Sequence, residues 1–131
     1  MSKKLTTVIM AAGKGKRMRN PDKSKVMHEL KGKPLIQYVT ELSDKIHSEM
    51  IIPIVGHQKQ SVIDFLNFKF PEIKDKIKFA HQDEQLGTGH AVMQTAGILK
   101  DFEGDVLILS GDVPMLKYET VISFLNFHYE N

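Results

Sequence analysis

Four short runs of β-strand character, separated by segments with helical periodicity, constrain this 131-residue chain more than any other feature. The runs are LTTVIMAA (5–12), MIIPIVG (50–56), IKFAH (77–81) and DVLILSGD (105–112). Strands that alternate with helices form βαβ units, because successive parallel strands need a crossover connection and a helix supplies it. Leu35, Val39, Leu42 and Ile46 recur at helical spacing after Pro34, whose fixed φ suits a first turn, so a helix of about 12 residues is expected there. Val62, Phe65 and Leu66 mark a second helix, Ala91, Val92, Thr95, Ala96 and Leu99 a third, and Val121, Ile122 and Leu125 a fourth. Phe65, Phe68 and Phe70 are expected to pack in the core or between elements. Pro53 lies inside the second run and lacks an N–H for the ladder, which predicts a bulge or a shortened strand. The fold class is α/β with a parallel sheet, in one domain over residues 1–131.

Charge is unremarkable in total and uneven in place. The net charge is +2, yet Lys14, Lys16, Arg17, Arg19, Lys23 and Lys25 fall between positions 14 and 25 against a single acid, Asp22. So mild a total does not indicate nucleic acid, and no aromatic stacking pair flanks the basic loop as an RNA-binding surface would require. There is no cysteine, which excludes a disulfide framework and thiolate metal sites and fits a reducing, cytoplasmic setting. The first apolar stretch is short, interrupted by Thr6 and Thr7, and runs into the cationic loop, unlike a secretion signal. No segment approaches the ~20 apolar residues that span a bilayer. The histidines are scattered, without the paired helical spacing of a zinc site.

The loop after the first run, AAGKGKRM, is either a solvated basic surface or a phosphate cradle. A strand ending in Ala11, Ala12 and Gly13 and passing into Lys14 and Gly15 exposes successive backbone N–H groups with little side-chain obstruction. Lysine and arginine downstream add charge-assisted contacts, so the natural guest is a polyphosphate. The dinucleotide fingerprint fails, since Met18 stands where its third glycine belongs, and no Walker A sequence occurs.

VIMAAGKGKRM followed by SKVMHELKGKPLIQYV resembles the signature of sugar-nucleotide pyrophosphorylases, which join a nucleoside triphosphate to a sugar 1-phosphate and release pyrophosphate. The resemblance implies that the loop wraps the triphosphate and that Arg17 and Lys25 bind phosphates as the catalytic cations. Ser24 stands where the family usually has proline before that lysine. HQDEQLGTGHAV (81–92) is similar to the base-reading segment of bacterial N-acetylglucosamine-1-phosphate uridylyltransferases. It implies uracil recognition by Gln82, Gly87 and Thr88; read without the resemblance, the segment is a glycine-rich loop capping a helix. VLILSGDVPML (106–116) ends a strand in Gly-Asp, which suits Asp112 as a Mg²⁺ ligand or, equally, as a turn or capping residue. Ser110 replaces an aromatic common at that position in the uridylyltransferases.

The resemblance extends from Thr7 to about Thr120 with its three motifs in family order. It implies a Rossmann-like α/β/α domain with the four runs ordered 3-2-1-4, the ligand site at the carboxyl ends of the strands, and transfer of UMP from UTP to N-acetylglucosamine 1-phosphate with Mg²⁺. The family's domain runs further than this chain, so the chain is expected to be the nucleotide-binding half, without the family's acetyltransferase domain. A UTP-binding domain without turnover, and a guanylyl- or cytidylyltransferase of the same fold, are the alternatives. The fourth run would then form an exposed sheet edge with no Lys or Pro among residues 106–110, which predicts a homodimer through that edge. UTP and a sugar 1-phosphate are the expected partners, with no nucleic acid and no membrane.

Overall fold

The computed structural model describes residues 4–12, 25–56, 58–84, 87–112 and 116–130. Strand β1 (Leu5–Ala11) is the middle of the fold, paired in parallel with β4 (Met50–Val55) on one side and β6 (Asp105–Ser110) on the other. Beyond β4 lies β5 (Ala80–His81), giving the order β5-β4-β1-β6, which is the expected 3-2-1-4. A small antiparallel pair, β2 (Glu29–Leu30) and β3 (Lys33–Pro34), leads into helix α1 (Leu35–Lys45). Helices α2 (Lys59–Lys69), α3 (Thr88–Met93) and α4 (Tyr118–Glu130) complete the set.

Helices cover both faces of the sheet, so the middle strands are buried on each side and their sequences are nearly continuous in apolar and threonine residues. On one face Leu5, Ile9 and Ala11 of β1 pack with Ile36, Val39 and Leu42 of α1, Val62 and Leu66 of α2, and Val121 and Leu125 of α4. On the other face a smaller cluster joins Val8, Ile52, Ile54 and Ala80 to Ala91 of α3. α3 is only six residues long, and the expected third helix continues instead as turns in which Thr95 is buried and Leu99 packs at the margin. Among the described residues, no helix is long and apolar enough to cross a membrane.

Three details differ from the sequence reading. β4 runs unbroken through Pro53, which sits in register opposite Ile9. The bonds Lys78 N–H to Ile51 O and Gln82 N–H to Val55 O direct residues 51, 53 and 55 toward β5, so the donor that Pro53 lacks is missing on that side. The ladder there skips from an isolated Ile51–Ile77 bridge to Ile54–Ala80, and it is β5, not β4, that is short. Phe65 and Phe70 pack against the core as expected, whereas Phe68 is 82% exposed on α2. The fully buried residue in the first turn of α1 is Ile36 rather than Leu35.

One buried polar contact pins β1 to the turn before β4. The hydroxyls of Thr7 and Ser48 lie 2.6 Å apart, both side chains out of water. Thr7→Val leaves the Ser48 hydroxyl without this partner and is expected to destabilise the chain by about 1–3 kcal/mol, with much of the loss recovered on adding Ser48→Ala. Urea denaturation of the two single variants and the double variant measures this, and additive losses would show that the pair is not coupled.

Candidate functional site

Register places the sequence motifs along one edge of the sheet. Ala11 is level with Val55, Val55 with His81, and Met10 with Ser110. One or two residues further on, Ala12, Gly56, Gln82 and Asp112 therefore stand in one row at the carboxyl ends of the strands, where open parallel sheets bind ligands. The ladder reaches this row, because Gln82 N–H donates to Val55 O at 2.7 Å and Gly111 N–H to Met10 O at 3.0 Å. Ala11 and Ala12 are both buried, so the end of β1 meets the row without bulky side chains.

Gln82 is the most enclosed polar side chain of the row, at 3% exposure. Its amide Nε2 donates to the carbonyl of Gly87 at 3.1 Å and lies 3.1 Å from Nδ1 of His90. The structure thus brings Gln82 and Gly87 into direct contact. Gly87 has φ +101°, a conformation that L side chains rarely adopt, and it precedes α3 as its N-cap. α3 begins at Thr88 as the motif predicts. Beside Gln82 at the rim, the ammonium of Lys59 donates to Asp83 at 3.0 Å and holds that carboxyl below the usual carboxylate range.

At the other end of the row, Ser110 Oγ donates to Asp112 Oδ1. The serine that stands where the uridylyltransferases commonly carry an aromatic therefore contacts the candidate metal ligand. Among the described residues no three His, Asp or Glu side chains gather as a metal cluster. A single carboxylate at the strand end still fits Mg²⁺, which commonly takes one or two carboxylates and draws its other ligands from phosphate and water.

The turn Lys25–Met27 folds over the end of β6. Val26 is 2% exposed, and its Cγ1 stands 2.8 Å from where a Cβ on Gly111 would lie. The turn that holds Val26 therefore lies beside Gly111. Gly13, Lys14, Gly15 and Arg17 lie outside the described residues, as do the side chains of Lys25 and Thr88. From sequence His90 reads as a capping or packing residue or a ligand contact; the structure sets its ring against Gln82 and its carbonyl against Gln94. The signal for His90 was only its place three residues after Gly87 on the new helix.

Residues 7–130 match the MobA-like NTP transferase domain. The chain belongs to this family. As a MobA-like NTP transferase domain it is similar to bifunctional proteins GlmU, being 43% identical over 124 residues to that of Thermoanaerobacter pseudethanolicus (95% of this chain, 25% of the relative). It is 40% identical over 131 residues to that of Koribacter versatilis (99% and 26%). The chain spans about a quarter of the length of these curated relatives. Among solved structures, its fold matches HddC from Yersinia pseudotuberculosis complexed with GMP-PN, with TM-score 0.69, 23% identity, and 91% of this chain against 53% of that one. It also matches a UDP-glucose pyrophosphorylase complexed with UDP-glucose, with TM-score 0.68, 22% identity, and 95% against 55%. The expected α/β nucleotidyltransferase fold is therefore the fold of this NTP transferase domain.

The close approach at Gly111 gives a direct check on this corner. In Gly111→Ala the new methyl would also lie 2.9 Å from the backbone oxygen of Met10, which cannot swing aside. A loss of about 1–3 kcal/mol is expected from such overpacking. An unchanged urea midpoint would mean that β6 and the Val26 turn separate freely.

Proposed function

We propose that this NTP transferase domain binds Mg²⁺–UTP along the row at the carboxyl edge and transfers UMP to N-acetylglucosamine 1-phosphate, releasing pyrophosphate. The observation that carries the reading is the direct contact of Gln82 with Gly87 on the same edge as Ala12 and Asp112. Similarity to bifunctional GlmU proteins supports the sugar-nucleotide class.

In this reading Gln82, Gly87 and Thr88 receive the base, and backbone N–H groups from Ala11 and Ala12 through Gly13, Lys14 and Gly15 cradle the phosphates. Arg17 holds the leaving pyrophosphate, and Lys25 neutralises charge at the transferring phosphoryl. Asp112, braced by Ser110, would hold Mg²⁺, which when bound neutralises phosphate charge. The sugar phosphate oxygen is already an anion and attacks in line, so these residues position reactants and stabilise charge, and no general base is required. The cysteine-free composition supports a cytoplasmic setting.

Calorimetric titration tests the reading. UTP is expected to bind at least about tenfold tighter than ATP or CTP. Mg²⁺ should strengthen binding in the parent chain and fail to do so in Asp112→Asn, where the amide keeps the shape and loses the anionic donor. Equal affinities for all triphosphates would remove the base assignment, and an unchanged Mg²⁺ effect would return Asp112 to a turn role. Pyrophosphate release separates transfer from a second reading, triphosphate binding without turnover.

A second copy of the chain is the proposed partner at β6. Among the described residues β6 pairs only with β1. Asp105 N–H donates to Lys4 O and Gly111 N–H to Met10 O, so alternate residues Val106, Ile108 and Ser110 direct their backbone groups outward. Val106 and Ile108 are also exposed, at 43% and 47%. An antiparallel two-fold pairing centred on Ile108 would satisfy all of these outward groups, with Val106 opposite Ser110 of the other copy. Light scattering is expected to give a dimer at high micromolar concentration that Ile108→Lys disperses; a monomer throughout would overturn the edge pairing.

A further inference from the structure

We propose that His90 is a positioning residue for base selection, acting through Gln82. The inference rests on Gln82 being the base reader and adds what fixes its polarity.

A glutamine amide presents a donor on one side and an acceptor on the other, and turning it by half a rotation exchanges them. A reader free to turn therefore accepts bases of either pattern. Here Gln82 is not free. The Gly87 carbonyl can only accept, so the amide atom 3.1 Å from it must be the nitrogen. That nitrogen has a second hydrogen, and Nδ1 of His90 stands 3.1 Å away to receive it. With both N–H groups committed, Oε1 is the amide atom not engaged by these contacts, and Gln82 meets a ligand as an acceptor.

The contacts on the far side of the ring assign its proton. Gln94 Nε2 donates to the backbone carbonyl of His90 at 3.1 Å and lies 3.3 Å from the ring Nε2. A neutral imidazole accepts at one nitrogen only. Gln82 is enclosed and held by Gly87, whereas Gln94 is half-buried and can turn toward water. Nδ1 is therefore the acceptor, Nε2 carries the hydrogen, and the approach of Gln94 to Nε2 is not a second bond.

An acceptor-only Gln82 complements a base whose ring nitrogen bears hydrogen, as N3 of uracil and N1 of guanine do. It opposes a bare ring nitrogen, as in cytosine N3 or adenine N1. Without His90 the second N–H is released, the amide gains freedom, and the preference weakens while the fold and the phosphate contacts stay in place.

The experiment uses the full chain, with UTP and CTP as probes at fixed Mg²⁺, and compares the parent with His90→Ala, His90→Asn and Gln82→Ala. The parent is expected to favour UTP by about tenfold or more, His90→Ala to lose most of that ratio, and His90→Asn, whose Oδ1 can stand near the place of Nδ1, to restore it. Imidazole ¹⁵N spectra of the parent, assigned by the signal lost in His90→Asn, are expected to show hydrogen on Nε2. Hydrogen on Nδ1 overturns the proposal, and this readout holds even where His90→Ala fails to fold. A ratio lost in Gln82→Ala but kept in His90→Ala overturns the role of His90 and leaves the base-reading assignment standing. A ratio unchanged in both, or a parent that does not distinguish the two nucleotides, overturns the base reading itself and the proposal with it.

Discussion

Backbone groups of β1 bond to β4 on one side and β6 on the other, while helices close both faces, so no water reaches the middle of the strand to replace a lost hydrogen bond. Leu5, Val8 and Ile9 satisfy this setting with apolar side chains, and Thr7 does so by meeting Ser48. Once β1 is fixed in register with both neighbours, the ends of four parallel strands must fall at one edge. The row Ala12, Gly56, Gln82 and Asp112 is a consequence of that register, not of any contact among those residues.

The same logic explains where irregularity is tolerated. Pro53 faces its missing donor toward β5, where the ladder is already sparse, so the bonds of β4 to β1 remain intact through Val55. Had the proline stood one residue earlier or later, the gap would have opened against β1. Gly111 is the counterpart at the other flank. Its lack of a side chain lets Val26 lie against the chain just beyond β6.

The two ends of the row differ in construction. At Asp112 a carboxylate stands at the strand end and accepts from the Ser110 hydroxyl. At Gln82 a neutral amide is enclosed and tied to a carbonyl and an imidazole, a setting that fixes the direction of a dipole. A carboxylate and an amide of fixed direction thus stand at opposite flanks of β1.

Periodicity and composition alone determined the βαβ class, the four strands of the parallel sheet and four helices, because apolar spacing records which faces must be buried, whereas the base-reading loop was marked by resemblance. The glycine pattern also announced the start of α3 at Thr88. Strand order came from resemblance and is met by the pairing β5-β4-β1-β6. Tertiary structure decided what depends on contacts between distant residues. It turned the missing donor of Pro53 toward β5, left Phe68 in water, shortened α3, and set Val26 against Gly111. It also made His90 the partner of Gln82, eight residues away and on another element. A side chain's hydrogen-bonding role is set by which acceptor and donor atoms surround it in space, and linear spacing carries no record of that.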